Sequence, residues 1–428
     1  MASGEMVVVE PQPKNPLKKA KMNVVMLTDS ASVTGGASKI AFDGARALAM
    51  AGNQVHLVCG IGPVMQDLKD KPDLEVHCLG YSDIHEDSNR LRAMARGWWR
   101  PAAGRYVGEL LDTLDPKDTI VHVHSWTRAL SSSVIRAAME REFQTVFTLH
   151  DFVLACPTGT MFLQNTLQKC TLRPMSATCI CTNCDTRSYG HKMWRVGRHL
   201  VQDSFGLTPS GARHFIVYSQ TAKDLLLPYL PKEAKFYSVP NAIEMSLGEP
   251  ADVCANETFM FLGRLTPEKG PEMFARAALA EQVPCLFIGD GLSRGAIAQA
   301  NPQAVFSKWM SHAEALKTLR QARALVFPSL WYETLGLVVL EAAGNGVPSI
   351  VPDTCAAHES VIDGVTGLYF RSGDEGDLRA KIALLKDPVV AARMGKAAYE
   401  KFWAFPGSSL ELHRHRLVSA YREILASR

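Results

Sequence analysis

Four charged side chains stand out by type and spacing: Arg264 with Lys269, and Glu333 with Glu341. Arg264 and Lys269 lie in the run Gly263-Arg-Leu-Thr-Pro-Glu-Lys-Gly270, directly after the apolar segment 258–262. A guanidinium can bridge two phosphate oxygens and an ammonium adds a mobile point charge, so this pair can neutralise a diphosphate leaving group. Glu333 and Glu341 bracket Thr334-Leu335-Gly336 and the apolar residues that follow. Gly336 allows close backbone approach to a ligand. Free N–H groups and the positive end of a helix dipole at that point favour an anion. An acid on each side of such a turn can hold a sugar, a phosphate and a ribose together. Eight residues, mostly helical, span roughly 12 Å at about 1.5 Å each. Paired carboxylates that act on one glycosidic bond with retention stand about 5–5.5 Å apart. The two glutamates are therefore expected to bind different parts of one ligand.

Three weaker signals sit at similar places. His150-Asp151 ends the apolar run 145–149, Gly35-Gly36 follows the run 23–28, and Gly289-Asp290-Gly291 follows 285–288. Each is a loop at the carboxyl end of a predicted strand, where open α/β sheets bind ligands.

These residues need strands to launch them and helices to follow. Apolar runs at 23–28, 54–58, 75–79, 120–124, 145–149, 215–219 and 235–239 alternate with helical patterns, and the alternation restarts at 258–262. Strands at 285–288, 324–327 and 348–351 and helices at 335–344, 375–400 and 409–426 complete the pattern, with a helix and turn over 359–367. The polar, turn-rich 248–252 reads as the boundary. The predicted fold class is α/β, with two doubly wound parallel sheets. No G-x-G-x-x-G occurs, which argues against a nicotinamide dehydrogenase.

The whole chain sets bounds. Its 428 residues exceed one typical core. A formal charge of +3 does not point to nucleic acid. No apolar run reaches the 18 or so residues of a membrane span, and the N-terminus has no secretory apolar core. Residues 1–21 read as a basic disordered tail. The stretch 90–106 is different: Arg90, Arg92, Arg96, Arg100 and Arg105 accompany Trp98, Trp99 and Tyr106. With 191–199 it suggests contact with an anionic membrane surface or a lipid phosphate. Cys156, Cys170, Cys179, Cys181 and Cys184 crowd an insertion over about 151–205. Such a thiolate cluster could hold a structural zinc; otherwise these are reduced thiols in a cytoplasm.

Taken together, Gly-Arg-Leu-x-x-x-Lys-Gly at 263–270 and Glu-x7-Glu at 333–341 resemble glycosyltransferase family 4, the retaining nucleotide-sugar transferases of GT-B fold. Pro240-Asn241 and Gly-Val-x-Gly at 364–367 fit as well. The resemblance covers roughly 22–428. It implies an acceptor-binding lobe over 22–248, a donor-binding lobe over 249–403, and a last helix over 404–428 that crosses back.

It further implies that Arg264 and Lys269 hold the donor diphosphate, Glu333 the sugar hydroxyls and Glu341 the ribose. Gly263, Gly289, Thr334, Leu335 and Gly336 would line the donor site, Leu335 and Gly336 through backbone N–H groups. Gly35 and Gly36 would approach from the other lobe, and His150 would face the reacting carbon. The implied donor is a UDP- or GDP-linked sugar, with no cofactor required. The implied acceptor is a saccharide or a polyprenyl-diphosphate-linked saccharide, at the cytoplasmic face of a membrane. An epimerase or hydrolase on the same scaffold, or a silent binding subunit, are the competing readings. One departure is Asn241-Ala-Ile-Glu244, where the family carries Asn-Gly-Val-Asp.

Overall fold

The structure, a computed structural model, describes residues 6–7, 21–84, 86–241, 243, 245–308, 310–404 and 410–428. Strands buried on both faces read as continuous apolar runs, and Val24, Val25, Met26 and Leu27 are all fully buried in sequence. They belong to Asn23–Ser30, near the centre of an eight-stranded sheet. On one side of it lie Gln54–Ile61 and Leu74–Cys78. On the other lie Thr119–Val123, Gln144–Thr148, His214–Val217, Lys235–Ser238 and Met6–Val7. Its neighbours all pair parallel.

A second sheet of six strands runs Val305–Phe306, Cys285–Ile288, Thr258–Leu262, Ala322–Val326, Ser349–Pro352, Gly367–Phe370, also parallel. Strand order reverses in the first sheet beside Asn23–Ser30 and in the second beside Thr258–Leu262. In such sheets the crevice opens outside the carboxyl ends at the reversal. The loops placed there are 31–36 and 124–132 in the first lobe, and 263–270 and 327–336 in the second. This is the GT-B arrangement of two Rossmann-like lobes.

The last helix, Leu410–Ala426, packs on the first lobe. Its Leu417, Tyr421 and Ile424 join one buried cluster with Met26, Ala41 and Ala45. Tyr421 Oη lies 2.6 Å from His122 Nδ1, and His413 Nδ1 2.7 Å from the Pro240 carbonyl.

Several expectations shift. Met6–Val7, placed in the tail, pairs with Lys235–Ser238; residues 1–5 and 8–20 lie outside the described residues. So do Ala242 and Glu244 of the Asn241 turn. The helix expected over 375–400 is two, Glu375–Leu385 and Pro388–Ala404, because Pro388 can open a helix but not continue one. Only a short 3₁₀ turn, Ala356–Ser360, precedes Gly367, which instead opens an edge strand.

The basic stretch breaks at Pro101 into Arg90–Trp98 and Pro101–Leu111. Its aromatics serve packing. The Trp98 ring lies on Gly197 and the Trp194 ring on Gly97, where a Cβ would come within 2.6 Å in each case. Their Nε1 groups donate to the Trp194 and Met94 carbonyls. Arg100 is buried over the Tyr81 ring. Among the described residues, no helix is long and apolar enough to cross a membrane.

Candidate functional site

Side chains from both switch-point loops line one cleft of about 700 Å³ between the lobes. Of the residues singled out from sequence, Gly35, Gly36, His150, Gly263, Arg264, Lys269, Glu333, Thr334, Leu335 and Gly336 line it. Two helices point their N-termini inward: Gly36–Met50 from the first lobe and Leu337–Gly344 from the second. The latter starts two residues later than expected, because Gly336 adopts φ 93 at the N-cap. A side chain there would meet Ala357 Cβ at 2.7 Å, so both the conformation and the space select glycine.

Glu333 is the polar centre. Its Oε1 accepts from Lys269 Nζ at 2.6 Å, Ser329 Oγ at 2.7 Å and Trp331 Nε1 at 2.7 Å. Burial works to raise the carboxyl, but the Lys269 ammonium and the two neutral donors outweigh it and hold the group below its ordinary value. Glu333 is therefore ionised at neutral pH. The Lys269 ammonium also stands 5.1 Å from the Trp331 ring centroid, which restricts where it can go. Arg264 differs: its side chain is 66% exposed and reaches Glu268 only at 4.0 Å. It is a cation at the mouth of the cleft with little to hold it.

On the opposite wall His150 Nε2 lies 3.0 Å from His124 Nδ1. Burial pushes the His150 imidazole down to about 3, so it is neutral. The Thr334 hydroxyl donates to the His150 carbonyl, and Ser219 Oγ donates to the Thr334 carbonyl. Glu359 of the second lobe accepts from the backbone N–H groups of Gln220 and Thr221 at the start of helix Gln220–Leu226. A carboxylate at a helix N-terminus is a favourable clasp between the lobes.

Two predicted residues stand apart. Gly289 does not line the cleft; a Cβ there would fall 2.0 Å from the Gly263 carbonyl oxygen, so its role is to let two backbones meet. Glu341 is buried one helical stretch on, paired with His312 Nε2 at 3.1 Å. That hydrogen bond raises the His312 imidazole above its ordinary value.

Sequence reading missed several cleft residues. Asp29 is buried and accepts from the backbone N–H groups of Arg128, Ala129 and Leu130, pinning the loop that carries Ser125 and Thr127. Its place after the first strand was the available signal. Trp331 lines the cleft and Ser329, though not on its wall, also bonds Glu333; nothing in their types revealed that they converge there.

The insertion's thiols gather around a cation of the chain itself. Lys192 is fully buried, with Nζ 3.3 Å from Cys184 Sγ and 3.6 Å from Cys179 Sγ. Cys181 is exposed and Cys156 is buried. As placed, no three of these thiols meet at zinc-ligand spacing among the described residues.

Two family models match the chain. "Glycosyltransferase Family 4" covers residues 34–247, and "Glycosyl transferases group 1" covers 255–401. The chain belongs to glycosyltransferase family 4. The two matches meet at the lobe boundary, so the family pattern extends over both walls of the cleft. A glycogen synthase from Mycobacterium tuberculosis is 39% identical over 93 residues, 22% of each chain. A D-inositol 3-phosphate glycosyltransferase from Kribbella flavida is 27% identical over 243 residues, covering 47% of this chain and 54% of that one. The chain thus spans about a fifth to a half of the length of these curated relatives.

Among solved structures, a sucrose-phosphate synthase from Thermosynechococcus elongatus matches at TM-score 0.71 and 17% identity, over 95% of this chain and 100% of that one. The Anabaena protein HepE, solved with UDP-glucose, matches at TM-score 0.64 and 15% identity, over 94% and 100%. These likenesses establish the fold of this family 4 chain.

Proposed function

We propose that this chain moves a sugar from a nucleotide-diphosphate sugar to a saccharide or lipid-linked saccharide, with retention at the anomeric carbon. The observation that carries the reading is convergence. Arg264, Lys269, two helix N-termini and an ionised Glu333 face one cleft whose far wall holds His150. Arg264 and Lys269 would take the two negative groups of the diphosphate, the mobile cation folding in from the mouth. Leu335 and Gly336 would offer backbone N–H groups to the phosphate nearer the sugar. The three donors to Glu333 use Oε1, which leaves Oε2 for sugar hydroxyls. Relatives and neighbours of the chain support a glycosyl donor, and HepE, solved with UDP-glucose, supports a uridine nucleotide among the candidates.

In the proposed step the bond from the anomeric carbon to the phosphate oxygen breaks first. The acceptor oxygen bonds to that carbon on the same face, through an oxocarbenium-like transition state. The acceptor's proton passes to the departing phosphate oxygen. The chain supplies positioning and charge stabilisation rather than a covalent nucleophile. His150, neutral and paired with His124, serves as a hydrogen-bonding wall beside the reacting carbon rather than as a titrating base.

The acceptor side is the first lobe. A groove of about 520 Å³ lies between helices Arg90–Trp98 and Tyr189–Ser204, lined by Met94, His191, Trp194 and Arg195. Leu91 and Met94 are exposed beside Arg92 and Arg96, which suits a lipid-linked acceptor at an anionic membrane. Sedimentation with anionic vesicles, lost in Leu91→Asp/Arg96→Glu, tests the membrane part; unchanged partitioning removes it. The reaction itself is tested by incubating the protein with a panel of sugar nucleotides, with and without saccharide acceptors. Acceptor-dependent release of nucleoside diphosphate is expected. Consumption of donor at the same rate without acceptor would replace transfer with hydrolysis.

A further inference from the structure

Away from the cleft, the outer edge of the first sheet carries a second polar cluster. His56 lies on Gln54–Ile61, and Glu75 and His77 on the neighbouring edge strand Leu74–Cys78. The parallel register sets His56 opposite Glu75, and His77 follows two residues on, so all three side chains share one face. None of them lines the cleft.

Their donor atoms form a small triangle. His56 Nδ1 stands 3.2 Å from His77 Nε2. Glu75 Oε2 stands 3.3 Å from His56 Nδ1, and Glu75 Oε1 stands 3.7 Å from His77 Nε2. Zinc bonds of about 2.0–2.1 Å in tetrahedral geometry place ligand atoms about 3.3–3.4 Å apart. Among the described residues this is the one group of three such side chains whose donor atoms all lie within 4.8 Å of one another.

A second feature orients the set. His77 Nδ1 is 2.9 Å from Tyr106 Oη on helix Pro101–Leu111. An Nδ1–H donated to that oxygen fixes the tautomer and leaves a lone pair on Nε2, facing the triangle. Partners of this kind on the far nitrogen accompany metal-bound imidazoles.

We propose that His56, Glu75 and His77 form a divalent transition-metal site, of zinc type, that clamps the edge strand Leu74–Cys78 to its neighbour. Two imidazole nitrogens and a carboxylate suit a borderline cation such as zinc rather than calcium or magnesium. Glu75 is exposed, so the site is open on its solvent side. The competing occupant is a single proton shared between the two rings.

Cobalt(II) distinguishes these, and it also separates this site from the thiols. The full chain, reduced and stripped with chelator, is titrated with cobalt(II) and followed by absorption. Expected is one equivalent bound, with visible d–d bands and no near-ultraviolet thiolate charge-transfer band. His56→Gln/His77→Gln should abolish it while donor consumption is unchanged. Zinc should raise the melting temperature of the parent chain and not of this variant. Should the double variant fail to fold, Glu75→Gln, at an exposed position, should weaken cobalt by about tenfold or more. The proposal is overturned if micromolar cobalt does not bind, or if binding survives in the folded double variant or undiminished in Glu75→Gln. A thiolate band accounting for all bound metal would overturn it too.

Discussion

Replacing Lys269 with methionine separates the two duties of this side chain. In the folded chain its ammonium is 2.6 Å from Glu333 Oε1, and both side chains are largely buried. Removing one partner of a buried ion pair costs about 3–5 kcal/mol, because the other charge is left uncompensated. Here Ser329 and Trp331 still donate to Glu333, so the lower end of that range is expected. The carboxyl can also escape by taking a proton, since burial then acts on it with less opposition. The loss should therefore shrink as pH falls.

Catalysis has a separate cost. Losing one preorganised donor to a developing oxyanion typically lowers turnover about 10²–10³-fold, or about 2.7–4 kcal/mol. The informative variant is Lys269→Met/Glu333→Gln, which removes both charges. Denaturant melts should show it recovering most of the stability lost in Lys269→Met, as a coupled pair requires. Release of nucleoside diphosphate should not recover. If the double variant regains transfer, or if Lys269→Met alone stays within about tenfold of the parent, Lys269 does not act on the leaving group and the assignment of the cleft fails.

Three further outcomes follow from the same geometry. Gly336→Ala forces a side chain into a left-handed turn 2.7 Å from Ala357 Cβ and should cost about 1–3 kcal/mol, with a raised apparent KM for donor, read by thermal melts and initial rates. The hydrogen bond that His312 donates to Glu341 raises its imidazole above 6.5. A raised folded value means the pair's contribution is fully present below pH 6.5 and is lost as pH rises through the folded value. The NMR titration midpoint of His312 should lie above 6.5 and fall in Glu341→Gln. Because burial holds His150 at about 3, the pH–rate profile across the neutral range should keep its shape in His150→Asn while turnover falls. A limb near pH 6–7 that disappears with His150 would show a titrating base instead.

The sequence alone was enough for most strands of the two sheets and for the broad class, a glycosyltransferase. Short apolar runs such as 23–28 and 258–262, alternating with helical patterns, read as strands covered on both faces, and that pattern implies a parallel sheet with ligand loops at its carboxyl ends. The Arg264 and Lys269 loop and the Gly336 turn follow from that placement, because charge type and glycine spacing are local properties. Less was legible where the meaning of a residue depends on what faces it. Trp98 and Trp194 belong to the stretches that suggest membrane contact, and only packing reveals that each also covers a glycine on the opposite helix. Gly289 read as a ligand turn, but it does not line the cleft, and a Cβ there would meet the Gly263 carbonyl oxygen. Convergence was likewise a tertiary fact. The Lys269–Glu333 pair and the clasp from Glu359 to Gln220 join segments far apart in the chain. So does the His56–Glu75–His77 triangle, made by strand register. Local patterns report which groups can do chemistry, while packing decides which of them share one low-dielectric space, and there their charges interact strongly.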